Sequence, residues 1–473
     1  MPAATILWFR RDLRLSDHAA LDAALKRGGP IIPLYIRDST TDGLGAAAKL
    51  RLELSLKALA DQLSQMGARL ILRSGPAREV LEELLRDTGA EAVYWHRLYD
   101  PEAIERDSRV KSALGDAGIE ARSFSGHLLF EPWSVSTQQG GYYKVYSPFW
   151  RAVKDRELPD TLTAPGTLPA PDRWPESEDL ADWALSKAMN RGAAVVAAHV
   201  EAGEAAAQQS LAIFARDRIE DYRARRDFPG EAATSDLSQH LTTGEISPLA
   251  CWHAGLRAVE AGKEGAGTFL KELVWREFAY HLMFHTPRIL TDNWREGWEE
   301  FPWDTDADSP QVLAWKQGRT GVALVDAAMR ELFVTGRMHN RARMITASYL
   351  TKNMLCDWRI GRDWFEDCLV DWDPASNAMG WQWVAGCGPD AAPYFRIFNP
   401  ETQAEKFDPD QSYRRRWLAE GQGNPPDTAL AFYEAMPRSW DLSPSDDPPR
   451  MAQSLKEGRE AALAAYQELK AED

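Results

Sequence analysis

The sequence predicts two unlike halves: an α/β N-terminal domain built on a parallel, Rossmann-like doubly wound sheet, and an all-α C-terminal domain. Two observations carry this. Up to about residue 130, short apolar runs alternate with helical stretches, the rhythm of a parallel sheet wrapped by helices. Beyond about residue 180 the strand alternation stops, helical patterning takes over, and most of the 19 Trp occur there. At 473 residues the chain is long enough for two cores. We divide it into 1–130 (α/β domain), 131–200 (inter-domain linker) and 201–473 (helical domain).

The elements follow in order. ILWF (6–9) is the first apolar run, followed by polar RRDLRLSD and helical AALDAALKRG. PIIPLYI (30–36) precedes a long helical stretch, 45–66. ARLILR (68–73) precedes a helix over 76–88, AEAVYW (90–95) a helix near 101–117, and IEARSF (119–124) closes the domain. Ligands on such sheets bind beyond the carboxyl ends of the strands. That rule puts Arg10, Arg11, Asp12, Asp38 and the run from His96 to Glu102 near one crevice. There is no G-x-G-x-x-G and no Walker pattern, so a dinucleotide held in the usual Rossmann way is not expected here. A plain scaffold is the competing reading, because fold alone fixes no function.

The connector is punctuated by Pro132, Pro148, Pro159, Pro165, Pro169, Pro171 and Pro175. It reads as a linker partly packed by Trp133, Tyr142, Tyr143, Phe149 and Trp150.

A net charge of −16 excludes a uniformly basic nucleic-acid coat. Any DNA site must be a local basic patch. Arg223, Arg225 and Arg226, then Arg337, Arg341 and Arg343, then Arg414 to Arg416 beside Trp417 are the candidates. The four cysteines form no C-x-x-C and no zinc spacing, which points to free thiols in a reducing, cytoplasmic setting and to no metal site. The apolar run in MPAATILWFRRD is too short for a signal sequence, and no run approaches a membrane span.

The densest chemistry runs from Arg337 to Trp383. Cores are normally Leu, Ile and Val with charge outside. Interleaved Trp, Arg, Asn and Asp read instead as the lining of a pocket for something large, flat and polar at one end. The competing reading is a helical core with surface ion pairs. Met338 to Cys356 has good helix formers and no Gly or Pro, and on that helix Asn340, Arg343 and Met344 share a face. Pro374 biases Asp373 towards a turn, so Asp371 and Asp373 present acceptors from a fixed loop. With GWQW helical, Trp381 and Trp383 lie about 200° apart and face different partners. In KELVWREFAYHL (271–282), Glu272, Trp275 and Arg276 share a helix face, an acid, an indole and a guanidinium suited to a base-like ring. In TSDLS (234–238) the hydroxyls can cap a helix whose N-terminus binds phosphate, with plain capping the simpler reading.

These motifs resemble the photolyase/cryptochrome family over nearly the whole chain. The resemblance is carried by WFRRDLRLSDHAAL (8–21), RDFPGEAATSDLS, GEIS (244–247), LVWREFAYHL, AWKQGRTGVALVDAAMREL (314–332), RMHNRARMITASYLTK, DWDPASNAMGWQW, FRIFNPETQAEKFDP (395–409) and YRRRWL. It implies an N-terminal antenna domain and a helical domain holding FAD in a U-shaped conformation. Its activity would be repair of UV-damaged DNA, in which one electron from excited FADH⁻ splits a flipped-out cyclobutane pyrimidine dimer and then returns.

By that resemblance, Tyr222, Thr234, Ser235, Leu237 and Ser238 surround the FAD pyrophosphate, with Asp236 standing where relatives often carry a basic residue. Arg276, Arg343, Asp371, Asp373 and Asn377 surround the flavin. Glu272, Trp275, Asn340, Met344 and Trp383 line the lesion pocket, Glu272 and Asn340 touching cofactor as well. Arg226, Trp275, Arg341 and Gln403 contact DNA. Trp381, Trp358 and Trp303 form an electron relay from the surface to oxidised flavin, with Trp364 and Trp372 as a possible branch.

Enzymes for (6-4) lesions carry a His pair where Asn340 and Met344 stand, which argues for cyclobutane dimers. Asn377 is the repair-enzyme choice opposite flavin N5. It argues, with the lack of a long tail, against the alternative of a cryptochrome-type light receptor without repair. A third alternative, a nucleotide-binding α/β protein without photochemistry, would lack the yellow of bound flavin. The class is I or III. The second chromophore is read as methenyltetrahydrofolate, with Asp12 and Glu102 as candidate contacts and 8-hydroxy-deazaflavin or none as alternatives. The expected partner is damaged DNA, with no membrane association, and the expected state a monomer.

Overall fold

The computed structural model describes residues 2–390 and 395–472. Five parallel strands form one sheet: β1 (Thr5–Phe9), β2 (Ile31–Arg37), β3 (Ile71–Ser74), β4 (Ala92–His96) and β5 (Glu120–Phe124). Their order is β3-β2-β1-β4-β5, with Thr5 beside both Ile31 and Ala92. β1 and β4 are buried along their whole length, as parallel strands covered on both faces must be. Helices Ala19–Arg27, Ala46–Gln65, Ala77–Thr88 and Pro101–Asp116 supply the cover. The strand order reverses between β1 and β4, and the crevice expected there opens at their carboxyl ends.

Segment 131–200 packs on both sides. The helix Tyr146–Val153 puts Phe149 and Val153 into a core with Phe278 and Trp252 of the helical half. Trp183 and Leu185 enter the α/β core. Trp133, expected to help pack the connector, is 52% exposed.

The halves dock through buried polar contacts. Arg51, on the Ala46–Gln65 helix, pairs with Glu245, and both are fully buried. Glu204 accepts from the backbone N–H of Leu15 and Ser16 at 2.8 and 2.9 Å. Gly244 has φ +72, and a β-carbon there would run into the Arg11 carbonyl. Glycine is therefore required on both counts.

The helical half holds most of the aromatic core, including Trp298, Trp315, Trp358 and Trp381. The stretch expected as one helix from Met338 begins at Asn340, capped by His339, and from Tyr349 to Asn353 widens into a π turn. Asp373 caps the helix Pro374–Ala385 by accepting from the Ser376 N–H at 2.8 Å, with Pro374 at its first position. No helix among the described residues is long and apolar enough to cross a membrane.

Candidate active site

One cavity in the helical half is lined by Asn340, Arg343, Met344, Asp371, Trp372, Asp373, Asn377, Trp381 and neighbouring apolar residues. The helix Asn340–Ser348 supplies the first three on one face. Arg343 Nη2 donates to both Asp371 oxygens at 2.9 and 2.8 Å, and its Nε donates to the Met338 carbonyl. Asp371 is nearly buried on its side, so the pair fixes a carboxylate at the cavity wall. Asp373 accepts from the Tyr280 hydroxyl at 2.5 Å. Burial, then the Asp373 charge, pushes the Tyr280 pKa well up. Asn377 donates its amide N–H to the Arg362 carbonyl at 3.1 Å, which leaves its carbonyl oxygen free of that bond.

Trp372 and Trp381 each bury an indole N–H without a partner among the described residues. The wall thus offers carboxylate acceptors, guanidinium donors and two unpartnered N–H groups. An isoalloxazine ring, with carbonyl and ring-nitrogen acceptors and an imide donor, fits this set.

The helix Ala266–His285 forms the neighbouring wall and packs against Pro374–Ala385. Glu272 pairs with Arg226, whose guanidinium also lies 5.3 Å over the Tyr222 ring. Trp275 stacks on Tyr146. Arg276 donates to the His127 carbonyl at 2.9 Å and covers the Tyr280 ring. Trp383 faces away from Trp381 and donates to the Asp390 carbonyl at 3.2 Å, in line with their separation along the helix.

The loop 234–238 corrects one expectation. Its helix starts at Ser238 with Leu237 as cap residue and no side-chain cap, so the Thr and Ser hydroxyls are not spent on capping. Asp236, at φ +58, pairs with Arg218 and Arg337. Two arginines therefore outweigh the acid that stands there, a compensation that only spatial proximity reveals.

Of the basic clusters, Arg341 pairs with Asp227 and lies 4.6 Å over Phe407. Arg414 is held by Asp408. Gln403 buries its amide oxygen without a partner among the described residues.

Trp381, Trp358 and Trp303, expected to form a relay, sit on elements that contact one another. Trp381 lies against the backbone at Gly361, one turn along the helix that begins at Trp358. Trp358 is fully buried and donates to Asn293 at 2.9 Å. Asp304, next to Trp303, bridges to Cys356 just before that helix. Trp303 is half-exposed. Trp315, missed in the sequence, meets Trp381 edge-on at 6.2 Å. Trp364 stacks instead on Phe333 and lies tilted against Trp440, whereas Trp372 lines the cavity.

The crevice of the α/β half is lined by Trp8, Arg10, Arg11, Tyr35, Asp38, Arg51, Asp100 and Arg106, and closed by Thr242, Thr243 and Trp372 from across the domain junction. Trp8 Nε1, Arg10 Nε and Arg51 Nε are buried there without partners among the described residues. Burial opposes the charge of Arg11, but Asp100, Tyr280 and Asp373 outweigh it and hold its pKa above the ordinary value.

Asp12 and Glu102 do not line this crevice, which corrects the expectation for both. Asp12 is 2% exposed and accepts from the Arg10 backbone N–H, while His18 Nε2 and His96 Nδ1 each stand 3.1 Å from its Oδ2. Oδ1 is thus taken by the backbone, and the two imidazoles crowd Oδ2. Glu102 points outward from the first turn of Pro101–Asp116. The Asp12–His18–His96 cluster also does not suit a cation. His18 Nδ1 accepts the Leu21 N–H at 3.1 Å, so the imidazole hydrogen sits on Nε2 and faces Asp12 as a donor.

Comparisons with known proteins agree with this geometry. The family model described as DNA photolyase matches residues 5–171, and the one described as the FAD binding domain of DNA photolyase matches 269–468. The chain is similar to a deoxyribodipyrimidine photo-lyase of Agrobacterium fabrum, 48% identical over 88% of this chain and 87% of that protein. It superposes on a class III photolyase from Agrobacterium tumefaciens with a TM-score of 0.91 and 44% identity, covering 100% and 98% of the two chains. A cryptochrome of Synechocystis superposes with a TM-score of 0.83 at 29% identity, over 98% and 99%.

Proposed function

The chain belongs to the DNA photolyase family, and from that premise we infer that it is a deoxyribodipyrimidine photo-lyase, a light-driven enzyme that splits cyclobutane pyrimidine dimers in UV-damaged DNA. One observation supports the residue-level reading most. Asn340 and Met344 line the same cavity as Asp371, Asp373 and Asn377, so groups suited to a lesion and groups suited to a flavin share one space.

Arg343, Asp371, Asp373, Asn377 and Arg276 would hold the flavin ring. Tyr222 and the loop of Thr234, Ser235, Leu237 and Ser238 would hold the pyrophosphate beside Arg218 and Arg337. Bound FAD, reduced and excited by light, supplies one electron to the dimer and takes it back. This chain's residues do the rest. Trp275 and Trp383 form apolar walls that receive the flipped-out dimer and exclude water. Asn340 hydrogen-bonds one pyrimidine edge, and Met344 fills the space beside it. Glu272 binds the other edge once Arg226 turns from its carboxylate to a DNA phosphate. Arg341 and Gln403 extend the phosphate track. Trp381, Trp358 and Trp303 carry electrons inward when the bound flavin is oxidised, with Trp315, Trp364 and Trp372 as candidates for a branch.

Of the two classes open on sequence, the likeness to the Agrobacterium structure favours class III. The second chromophore is a folate on the resemblance, or else a deazaflavin or none; one that binds would sit in the α/β crevice, where the unpartnered N–H donors of Trp8, Arg10 and Arg51 suit an acceptor-rich ring. The cytoplasm is the proposed location, in keeping with four buried free thiols, and the monomer the proposed state.

The test is repair of an oligonucleotide bearing one cyclobutane dimer, in light against dark. Glu272→Ala should lower repair yield while leaving flavin content near wild type. Efficient repair of (6-4) products with none of cyclobutane dimers would sink the reading, and flavin binding without any repair would favour the light-receptor alternative.

A further inference from the structure

The proposed lesion pocket has a component that the connector supplies. Tyr146 opens the connector helix Tyr146–Val153 and is buried. Its ring covers the indole of Trp275, with centroids 3.7 Å apart and planes 6° apart. Its hydroxyl donates to the Lys271 carbonyl at 2.7 Å, next to Glu272. Its backbone N–H donates to the Asp390 carboxylate, and the Asp390 carbonyl accepts from Trp383. One residue thus touches the Trp275 ring, the backbone beside Glu272 and the loop that holds Trp383.

The stack is close and nearly parallel, and aromatic pairs gain from such contact beyond the area they bury. Phe278 closes the cluster edge-on, meeting Trp275 at 75° and Tyr146 at 74°. The hydroxyl and backbone bonds add to the packing that keeps Tyr146 on the indole. Trp275 is half-buried, and a half-buried indole samples several rotamers unless packing holds it. With Tyr146 on one face, the opposite face is presented flat, and no other ring stacks on it among the described residues.

We propose that Tyr146 is a positioning residue of the lesion pocket, holding Trp275 and, through Asp390, Trp383 in the pose that receives the flipped-out dimer. This rests on the reading of Trp275 and Trp383 as the pocket walls. Pre-ordering a wall removes the entropic cost of ordering it on binding, so the effect belongs in discrimination between damaged and undamaged DNA. Backbone contacts made elsewhere are untouched by it.

The experiment measures Kd in the dark for an oligonucleotide with one cyclobutane dimer and for its undamaged twin. It compares wild type, Tyr146→Phe and Tyr146→Leu, with flavin content and melting temperature as controls. A displaced stacking wall should cost the Leu variant about tenfold in affinity for the damaged strand and nothing for the undamaged one. Phe keeps the stack and loses only one hydrogen bond, so it should stay within about twofold. Wild-type discrimination in Tyr146→Leu would overturn the proposal, as would an equal loss in both variants. Should the Leu variant shed its flavin, Tyr146→Met, which also lacks the ring, takes its place: a tenfold loss confined to the damaged strand upholds the stack, and wild-type discrimination refutes it. A wild-type protein that neither discriminates nor repairs dimers would instead refute the function on which this rests.

Discussion

Gly361 is the most informative single position for the electron relay. A β-carbon built there finds three ring carbons of Trp381 within 2.6 Å. Ordinary carbon contacts lie at about 3.5–4.0 Å, so in Gly361→Ala the indole or the helix must yield by at least about 1.5 Å. Two terms compete in the stability of this variant. Replacing Gly by Ala inside the helix Trp358–Cys368 gains about 1 kcal/mol of propensity. Overpacking a well-filled core costs about 1–3 kcal/mol, and Trp381 is 2% exposed with Phe365 4.9 Å from it. The sum predicts slight destabilisation, small enough to leave a folded protein.

Function should suffer more. Trp381 is the proposed first donor to oxidised flavin, and electron transfer falls steeply with distance and misorientation. Light-driven reduction of oxidised flavin, followed by transient absorption, should slow markedly in Gly361→Ala and stop in Trp381→Phe. Repair by chemically reduced enzyme should be spared in both, since that electron leaves the flavin without crossing Trp381. Undiminished photoreduction in Trp381→Phe would refute the relay. Undiminished photoreduction in Gly361→Ala, with destabilisation of several kcal/mol, would show that the helix rather than the indole gives way.

Other outcomes follow from the same contacts. Arg226→Glu should weaken binding to damaged and undamaged DNA alike and flatten the dependence of log affinity on log salt by about one unit, as expected for one lost phosphate contact; a salt-independent wild-type affinity would contradict this. Arg51→Leu leaves Glu245 buried without its cation and should destabilise by about 3–5 kcal/mol, read by urea unfolding; a neutral effect would mean that His240 and the Gly203 N–H satisfy Glu245 unaided. Burial lifts Glu277 to about 7, against the opposing pull of Arg276 and the N–H groups of Phe130 and Leu129. The folded state then keeps a proton that the unfolded chain loses first. Its contribution is complete below about 4.5 and falls as pH rises through about 7. Glu277→Gln should flatten the stability profile across that window, and a profile parallel to wild type would exclude Glu277 as the titrating group.

Much of this protein was legible in short-range pattern. Strand and helix positions in the first 124 residues follow from apolar periodicity, and every expected strand appears, because burial on a sheet face acts residue by residue. The shared face of Asn340, Arg343 and Met344, and the opposed directions of Trp381 and Trp383, follow from 3.6 residues per turn. The ordered motifs implied the family, and the comparisons agree with it.

Other properties had no local signal. Asp12 stood at the right strand end for a crevice ligand, yet His18 and His96 seal it, since a buried carboxylate takes whatever donors the fold brings near. Asp236 looked like a deficit of positive charge until Arg218 and Arg337 closed around it. The basic runs looked free, but Arg226, Arg341 and Arg414 already have acidic partners. Tyr146 reads as linker by composition, and its place against Trp275 is set by packing across more than a hundred residues. Periodicity reports which face a side chain takes on its own element. Only the tertiary structure decides what meets that face, because contact energies depend on neighbours distant in sequence.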